Sequence, residues 1–177
     1  MTTANQNTET APLPKVTITR VFDAPRALVF AAWTDPAQMA QWWGPFGFTN
    51  PVCELDARPG GAMIIHMRGP DGTVYPDTGV FREVVPPERL VFVSSALEDE
   101  NGIPQLEEIS TITFEEVDGK TKLTVQADVI KATPAVAGAL AGMEVGWSQS
   151  LAKLAELLQT GSVTPREPSW EMAGADV

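Results

Sequence analysis

The amino-acid sequence predicts an α+β fold in which a seven-stranded, curved antiparallel sheet wraps around one long C-terminal helix. Between residues 51 and 130 apolar and polar side chains alternate in six segments, and short turns rich in glycine, proline and aspartate join them. Near the end of the chain apolar residues instead recur at spacings of three and four, which is typical of a helix with one buried face. Hairpin connections join antiparallel strands, and the apolar helix face has to cover an apolar sheet face, so the two parts form one layered domain.

The folded part begins with one strand and two short helices. The segment 15–23 alternates in character and predicts the first strand. Pro25 and the pair Asp35-Pro36 are typical of helix starts, because proline fits the first turn and aspartate caps it. We expect the apolar faces of the two helices to consist of Leu28, Val29, Ala32 and Trp33 in the first, and Met39, Trp42 and Trp43 in the second.

The remaining strands are predicted to follow one another as hairpins. Proline-glycine and aspartate-glycine turns separate them, and a polar loop at 98–105 lies between the fifth and sixth strands. The predicted strands cover residues 52–58, 62–68, 75–85, 89–96, 106–116 and 120–130.

The final helix is expected to start at Pro134 and to end at Gly161, residues suited to a helix start and a helix end. Its apolar stripe consists of Val136, Leu140, Met143, Trp147, Leu151, Leu154 and Leu158. A wide antiparallel sheet curls because its strands twist, which leaves space between the sheet and one helix. With the two short helices closing one end, the predicted product is an internal cavity.

One domain is expected at residues 15–159, with mobile tails at 1–14 and 160–177 that lack an apolar period. The chain has 177 residues, enough for a core that needs neither disulfide nor metal. No segment approaches the ~20 apolar residues of a membrane span, and residues 1–14 lack the features of a secretory signal. We therefore expect a cytoplasmic protein that does not insert into membranes.

The charge and the scarcity of two residue types limit the function. Twelve basic and twenty-three acidic residues give a net charge of −11, which argues against nucleic acid as a partner. The single cysteine, Cys53, and the single histidine, His66, do not make up a zinc ligand set. We expect no metal and no cofactor.

Strand alternation assigns side chains to the cavity. Met63, Ile65 and Met67 share one face of the third strand, and Arg68 belongs to the other, so the methionine face is expected to point inward. The same argument places Phe81 inward on the fourth strand, with Glu83 toward its end. The expected ligand-binding residues are Trp43, Phe46, Phe48, Met63, Ile65, Met67, Phe81, Phe92, Glu108, Met143 and Trp147. This apolar, aromatic and methionine-rich set suits an adaptable apolar ligand, although the same pattern is also typical of a plain core.

The sequence assigns no catalytic residue. Alternation places His66 on the outer face beside Arg68, and Cys53 is expected to be a buried, inert thiol. Glu108 is the open case: if it faced the cavity, burial would raise its pKa and allow acid–base chemistry, and otherwise it belongs to a solvated acidic rim.

The order of elements resembles the helix-grip fold of the START-like (SRPBCC) superfamily, which includes polyketide cyclases and birch-pollen-allergen-type proteins. The closer resemblance is to the family of homologues of the activator of a heat-shock-protein ATPase. The segments that carry it are RVFDAPRALVFAAWTDPAQMAQWWGP (20–45), DARPGG (56–61), GPDG (69–72), GVFREVVPPERLVF (79–92), TITFEEVDGKTKLTV (111–125) and GMEVGWSQSLAKLAELL (142–158).

The resemblance implies binding of an apolar or aromatic small molecule, without catalysis or with an unassigned activity. A polyketide cyclase or aromatase-type enzyme is one alternative. A module that stimulates a heat-shock-protein ATPase is another, but that activator has a separate N-terminal domain and only 14 residues precede the first strand here. We accordingly do not expect a chaperone partner, and a homodimer stays open.

Overall fold

Seven strands form one antiparallel sheet in the computed structural model, which describes residues 13–168. The strands are β1 (Lys15–Phe22), β2 (Thr49–Leu55), β3 (Ala62–Arg68), β4 (Val74–Val85), β5 (Arg89–Glu98), β6 (Pro104–Val117) and β7 (Lys120–Ala132). Their order in the sheet is β1-β7-β6-β5-β4-β3-β2, so every neighbour from β2 to β7 is joined by a hairpin. The first strand pairs with the last, which brings the two ends of the domain together.

Two short helices follow β1, and a longer helix ends the domain. They are α1 (Arg26–Thr34), α2 (Pro36–Trp42), α3 (Ala137–Ala141) and α4 (Met143–Thr160), with a 3-10 turn at Pro134–Val136. The Asp35 carboxylate accepts a hydrogen bond from the Ala37 amide at 2.9 Å, which confirms the predicted cap of α2. The predicted fold class is confirmed. Residues 1–12 and 169–177, which hold most of the two predicted tails, lie outside the described residues.

The long helix starts later than the sequence predicted. It begins at Met143 and not at Pro134, because Gly142 ends α3 and lies between the two helices with φ −92° and ψ 0°. Glycine is a poor helix former, and its missing side chain offers no packing to hold a continuous helix through this point. The other end is as predicted: Gly161 closes α4 in the left-handed conformation, with φ 82°.

Two further predictions on side-chain direction were wrong. Leu28 on α1 is 57% exposed, and Phe30 is buried on this helix with its ring 5.2 Å from that of Phe114. Glu83 on β4 also points outward, because the β4–β5 register shifts between Phe81 and Glu83. A bulge of this kind breaks the alternation on which the prediction rested. Glu83 instead forms an exposed ion pair with Arg89 at 2.6 Å.

The core lies between the inner face of the sheet and the C-terminal half of α4. Leu151 and Leu154 on α4 are fully buried against it. The short helices extend this core with a cluster of tryptophans, in which Trp33 lies 4.7 Å from Trp42 and 6.3 Å from Trp147 between ring centres. These contacts connect α1, α2 and α4. Among residues 13–168, no helix has the length and apolar character needed to span a membrane.

One buried hydrogen bond fixes the short helices to the sheet. The Thr121 hydroxyl at the start of β7 donates to the Ala24 carbonyl just before α1, at 2.7 Å, and Thr121 is fully buried. Replacing Thr121 by valine keeps the shape but removes the donor. We expect the free energy of unfolding to fall by about 1–3 kcal/mol, measured by urea denaturation.

Thr124→Val is the matched control. Thr124 forms its hydroxyl contact with Thr19 at 3.2 Å on the exposed face, where water replaces a lost partner. Its change should stay within about 0.5 kcal/mol. Equal losses for the two variants would contradict the role given to the buried bond.

Candidate functional site: a cavity under the last helix

A cavity of about 650 Å³ lies between the N-terminal half of α4 and the inner face of the sheet. Strands β3 to β6 contribute Met67, Asp77, Phe92 and Glu108 among others, and the segment after α2 contributes Trp43 and Phe48. Three sets of elements thus meet around the space that the sequence predicted. The predicted cavity is present in the structure.

Small residues on the helical side create the space. Gly138, Ala139, Gly142 and Gly146 all line the cavity, whereas the other end of α4 fills the same layer with leucines. Val145 also lines the cavity and is 55% exposed, so the cavity reaches solvent on this side.

Most of the predicted site residues gather at the cavity. Seven of them line it: Trp43, Phe48, Met67, Phe92, Glu108, Met143 and Trp147. Met63, Ile65 and Phe81 also point inward, as alternation predicted, but they are buried in the core and do not line the cavity. Phe46 lies beside the cavity, with the Arg166 guanidinium 4.8 Å from its ring centre. Contact with a ligand stays a prediction for all eleven.

Aromatic rings form one wall of the cavity. The Trp43 ring lies 5.4 Å from that of Trp147 and 6.2 Å from that of Phe92. Phe48 and Tyr75 form a second pair at 6.1 Å. Rings in these tilted and edge-to-face arrangements pack favourably against one another, so the aromatic wall is already formed without a ligand.

A buried lysine holds the segment after α2 in place. The Lys153 ammonium on α4 donates to the carbonyls of Trp43 and Pro45 at 3.2 and 3.3 Å. Burial, with a smaller contribution from the charge of Arg166, lowers the pKa of Lys153 to about 8. One helical turn earlier, the Gln149 side-chain oxygen accepts a hydrogen bond from the Phe46 amide at 3.0 Å. Helix α4 therefore sets the position of the cavity's aromatic wall.

Two carboxyl groups face the cavity from strands on either side of β5. Glu108 on β6 accepts a hydrogen bond from the Ser110 hydroxyl at 2.8 Å and a second one from the Trp147 side chain. Burial raises the pKa of Glu108 despite these bonds. Burial, together with the charge of Glu108, raises the pKa of Asp77 on β4 to about 8. Glu108, left open by the sequence, thus belongs to the cavity.

Sequence reasoning missed Asp77. Its signal was present, because Asp77 lies two residues before Gly79 on a strand whose inward face had been assigned.

Sequence reasoning missed Leu97 for a different reason. Leu97 adopts a left-handed backbone with φ 57° and lines the cavity beside Ala96, although alternation would turn it outward. A positive φ at a leucine is not readable from sequence.

The two residues with the most obvious chemistry lie outside the cavity. His66 is opposite Val52 and Pro76 on the neighbouring strands and does not line it. Burial raises the pKa of the Cys53 thiol to about 11, with a smaller contribution from Asp35, so the thiol is a poor nucleophile. In the described range no three histidine, cysteine or acidic side chains are grouped so that they could hold a metal ion. The chemistry that the site offers is therefore that of two carboxyls in an apolar space.

Comparisons with known proteins agree with this architecture. The sequence model of the activator of Hsp90 ATPase homolog 1-like protein family matches residues 23–159. No curated protein matches the chain.

Three solved structures illustrate the likeness. A protein from Chromobacterium violaceum is 32% identical, with a TM-score of 0.72 over 82% of this chain and 96% of that one. A protein from Arthrobacter aurescens is 27% identical, with a TM-score of 0.71 over 82% and 86%. The AHSA1 protein from Silicibacter pomeroyi is 26% identical, with a TM-score of 0.69 over 84% and 99%.

The buried Asp77 predicts a pH dependence of stability. The folded chain keeps the Asp77 proton up to a pH of about 8, whereas the unfolded chain releases it near the ordinary value of 3.8. The contribution of Asp77 to the free energy of unfolding should therefore fall as the pH rises between these values, by at most about 1.4 kcal/mol per pH unit, and stay constant above. Asp77→Asn should reduce this slope, because the raised pKa of Glu108 still contributes a slope of the same sign, and should be more stable than the wild type at pH 9, measured by urea denaturation across pH 5–9.

The groups around Asp77 are Glu108 on β6 and Tyr75 on its own strand, with Asp128 on β7 acting on Glu108.

Asp71→Asn is the control for the pH dependence. Backbone hydrogen bonding to Thr73 lowers the pKa of Asp71, so its contribution is already constant above pH 5. A slope that keeps its full wild-type size in Asp77→Asn would contradict the assignment.

Proposed function

The chain belongs to the family of activator of Hsp90 ATPase homolog 1-like proteins, and we propose that it binds apolar or aromatic small molecules in the cavity under α4. The observation that carries the proposal is the cavity itself. Protein interiors contain few voids larger than a water molecule, whereas small-molecule sites have volumes of roughly 300–1,000 Å³. A cavity of about 650 Å³ belongs to the second group.

The lining supports the same proposal. Trp43, Trp147, Phe92 and Phe48 offer flat apolar surfaces, and Met67 and Met143 offer flexible ones. Methionine side chains adapt to irregular shapes, so this lining accommodates a family of related ligands. The contact of these residues with ligand is part of the proposal.

An enzyme of the polyketide cyclase or aromatase type is the second candidate. The pair of buried carboxyls, Asp77 and Glu108, favours it, because a protonated carboxyl inside an apolar cavity can transfer a proton to a bound polyketone. Binding without turnover ranks first because no histidine, cysteine or lysine is among the described residues that line the cavity, and the Ser150 hydroxyl there donates to the Gly146 carbonyl. Stimulation of a chaperone ATPase draws no support from a cavity inside the domain.

Filling the cavity should abolish binding without unfolding the protein. Ala96 on β5 pairs with Asp77 on β4 and Leu106 on β6 and lines the cavity, so Ala96→Phe places a ring inside it. The neutral probe 2-(1-naphthyl)ethanol should bind the wild type in a 1:1 ratio and quench its tryptophan fluorescence, since Trp43 and Trp147 line the cavity. In Ala96→Phe we expect affinity at least about tenfold lower by calorimetry.

Thr78→Phe is the matched control, because it adds a ring on the exposed outer face of β4. It should bind the probe as the wild type does. Unchanged affinity in a folded Ala96→Phe variant, or no binding by the wild type up to the solubility of the probe, would overturn the proposal.

A further inference from the structure

The ionisable groups that line the cavity can carry only negative charge. Among the described residues that line it, the ionisable groups are the carboxyls of Asp77 and Glu108 and the phenol of Tyr75. The buried cation nearest the aromatic wall, Lys153, donates to two backbone carbonyls and does not line the cavity. Any charge that the lining offers a bound molecule is therefore negative, and none of its ionisable groups is a cation.

One of these acceptors lacks a protein partner. The Oδ1 atom of Asp77 is buried and forms no hydrogen bond with the described residues. Buried polar atoms in folded proteins are nearly always paired, and the exceptions require an explanation. Glu108 differs, because Ser110 and Trp147 already donate to it. The unused hydrogen-bond acceptor among the two carboxyls of the cavity is thus the Oδ1 atom of Asp77.

The surroundings of this oxygen suit a cation. Aromatic faces attract ammonium groups through their negative charge density, and Trp43, Trp147, Phe92 and Tyr75 all line the same cavity. The whole chain carries a net charge of −11, which draws cations toward the protein and disfavours fatty acids, phosphates and other anions. Carboxyl, aromatic wall and net charge all favour the same class of ligand.

We propose that the ligand of this cavity is a monocation, an apolar or aromatic body carrying one protonated amine, and that the amine pairs with Asp77. The inference rests on the function proposed above and narrows its ligand class. The apolar body lies against Trp43, Met67 and Phe92, and the N–H groups of the ammonium donate to the carboxylate of Asp77. Where Asp77 is protonated before binding, its proton leaves to solvent as the ammonium enters, so one proton is released for each amine bound.

The test uses three naphthalene probes that share one apolar body. They are 2-(1-naphthyl)ethylamine, 2-(1-naphthyl)ethanol and 1-naphthylacetate, titrated by calorimetry into the full chain at pH 7.5. We expect the amine to bind at least tenfold more tightly than the alcohol, and the carboxylate to bind more weakly than either. Asp77→Asn should weaken the amine about tenfold and change the alcohol by less than twofold.

Affinity for the amine should also depend on pH. Between pH 6 and 8 it should rise by up to tenfold per pH unit, because the carboxyl has to lose its proton first, with no such rise for the alcohol. The charged neighbours that act on this step are Glu108 on β6 and, through it, Asp128 on β7, which lies 3.4 Å from the Lys15 ammonium on β1. Heats measured in two buffers of different ionisation enthalpy should show the released proton.

Two further variants keep the test decisive. Glu108→Gln keeps an oxygen that can accept from the Ser110 hydroxyl and removes the second carboxyl of the cavity, so it should weaken the amine more than the alcohol even if Asp77→Asn does not fold. Glu107→Gln is its control: Glu107 is the preceding residue on β6, bonds to Ser95 at 3.2 Å and does not line the cavity. It should bind all three probes as the wild type does.

The outcomes separate the two proposals. If the amine and the alcohol bind with equal affinity, or lose affinity equally in the carboxyl variants, the proposal of an amine ligand is wrong. The cavity would then remain a binding site for neutral molecules. Preference for the alcohol would also overturn the amine ligand and would point to a ligand that accepts a hydrogen bond from protonated Asp77. No binding of any of the three probes would overturn both the amine ligand and the proposed function.

Discussion

One helix is too narrow to cover a seven-stranded sheet, and the rest of the molecule follows from this mismatch. Strands lie ~4.8 Å apart, so the sheet is roughly 30 Å wide when flat, whereas a helix with its side chains is about 10–12 Å across. Curling reduces the difference without removing it. At one end α1 and α2 cover the remaining area and pack through Trp33 and Trp42. At the other end glycine and alanine replace large side chains on α3 and early α4, and the uncovered area becomes the cavity.

Helix α4 joins the two ends of this arrangement. Its leucines complete the core, its Trp147 extends from the tryptophan cluster into the cavity wall, and its Lys153 fixes the segment that carries Trp43. Lys153 and Asp77 are both buried, and burial shifts their pKa values toward neutrality from opposite sides. Lys153 satisfies its protons on backbone carbonyls, so its role is structural. Asp77 keeps an unpaired oxygen inside a ligand-sized space, which is typical of a functional group.

How much of the fold and site was predictable depended on whether the backbone is regular. Met67 and Phe92 lie on regular stretches of β3 and β5, and simple alternation placed both of them at the cavity. Glu83 follows a bulge, and alternation placed it on the wrong face. Leu97 has a left-handed backbone just beyond the predicted end of the fifth strand, so alternation did not place it at the cavity. Met63 and Ile65 share the inward face of β3 with Met67, but they belong to the core and Met67 to the cavity. Predicting this difference required knowing which part of the sheet is covered by the large side chains of α4. That boundary depends on the break at Gly142, which the apolar stripe of the helix did not show.

The size of the cavity bears on whether it can be a mere packing defect. Empty cavities in protein cores cost about 24 cal/mol per Å³ in a lysozyme series, so a dry void of 650 Å³ would cost about 16 kcal/mol. That is as large as the whole stability of an ordinary domain, about 5–15 kcal/mol. The space must therefore be filled, and the opening beside Val145 provides the way in. An apolar molecule of the proposed class would replace water against an aromatic and methionine-rich wall, and by mass action its binding would stabilise the fold with the logarithm of its concentration.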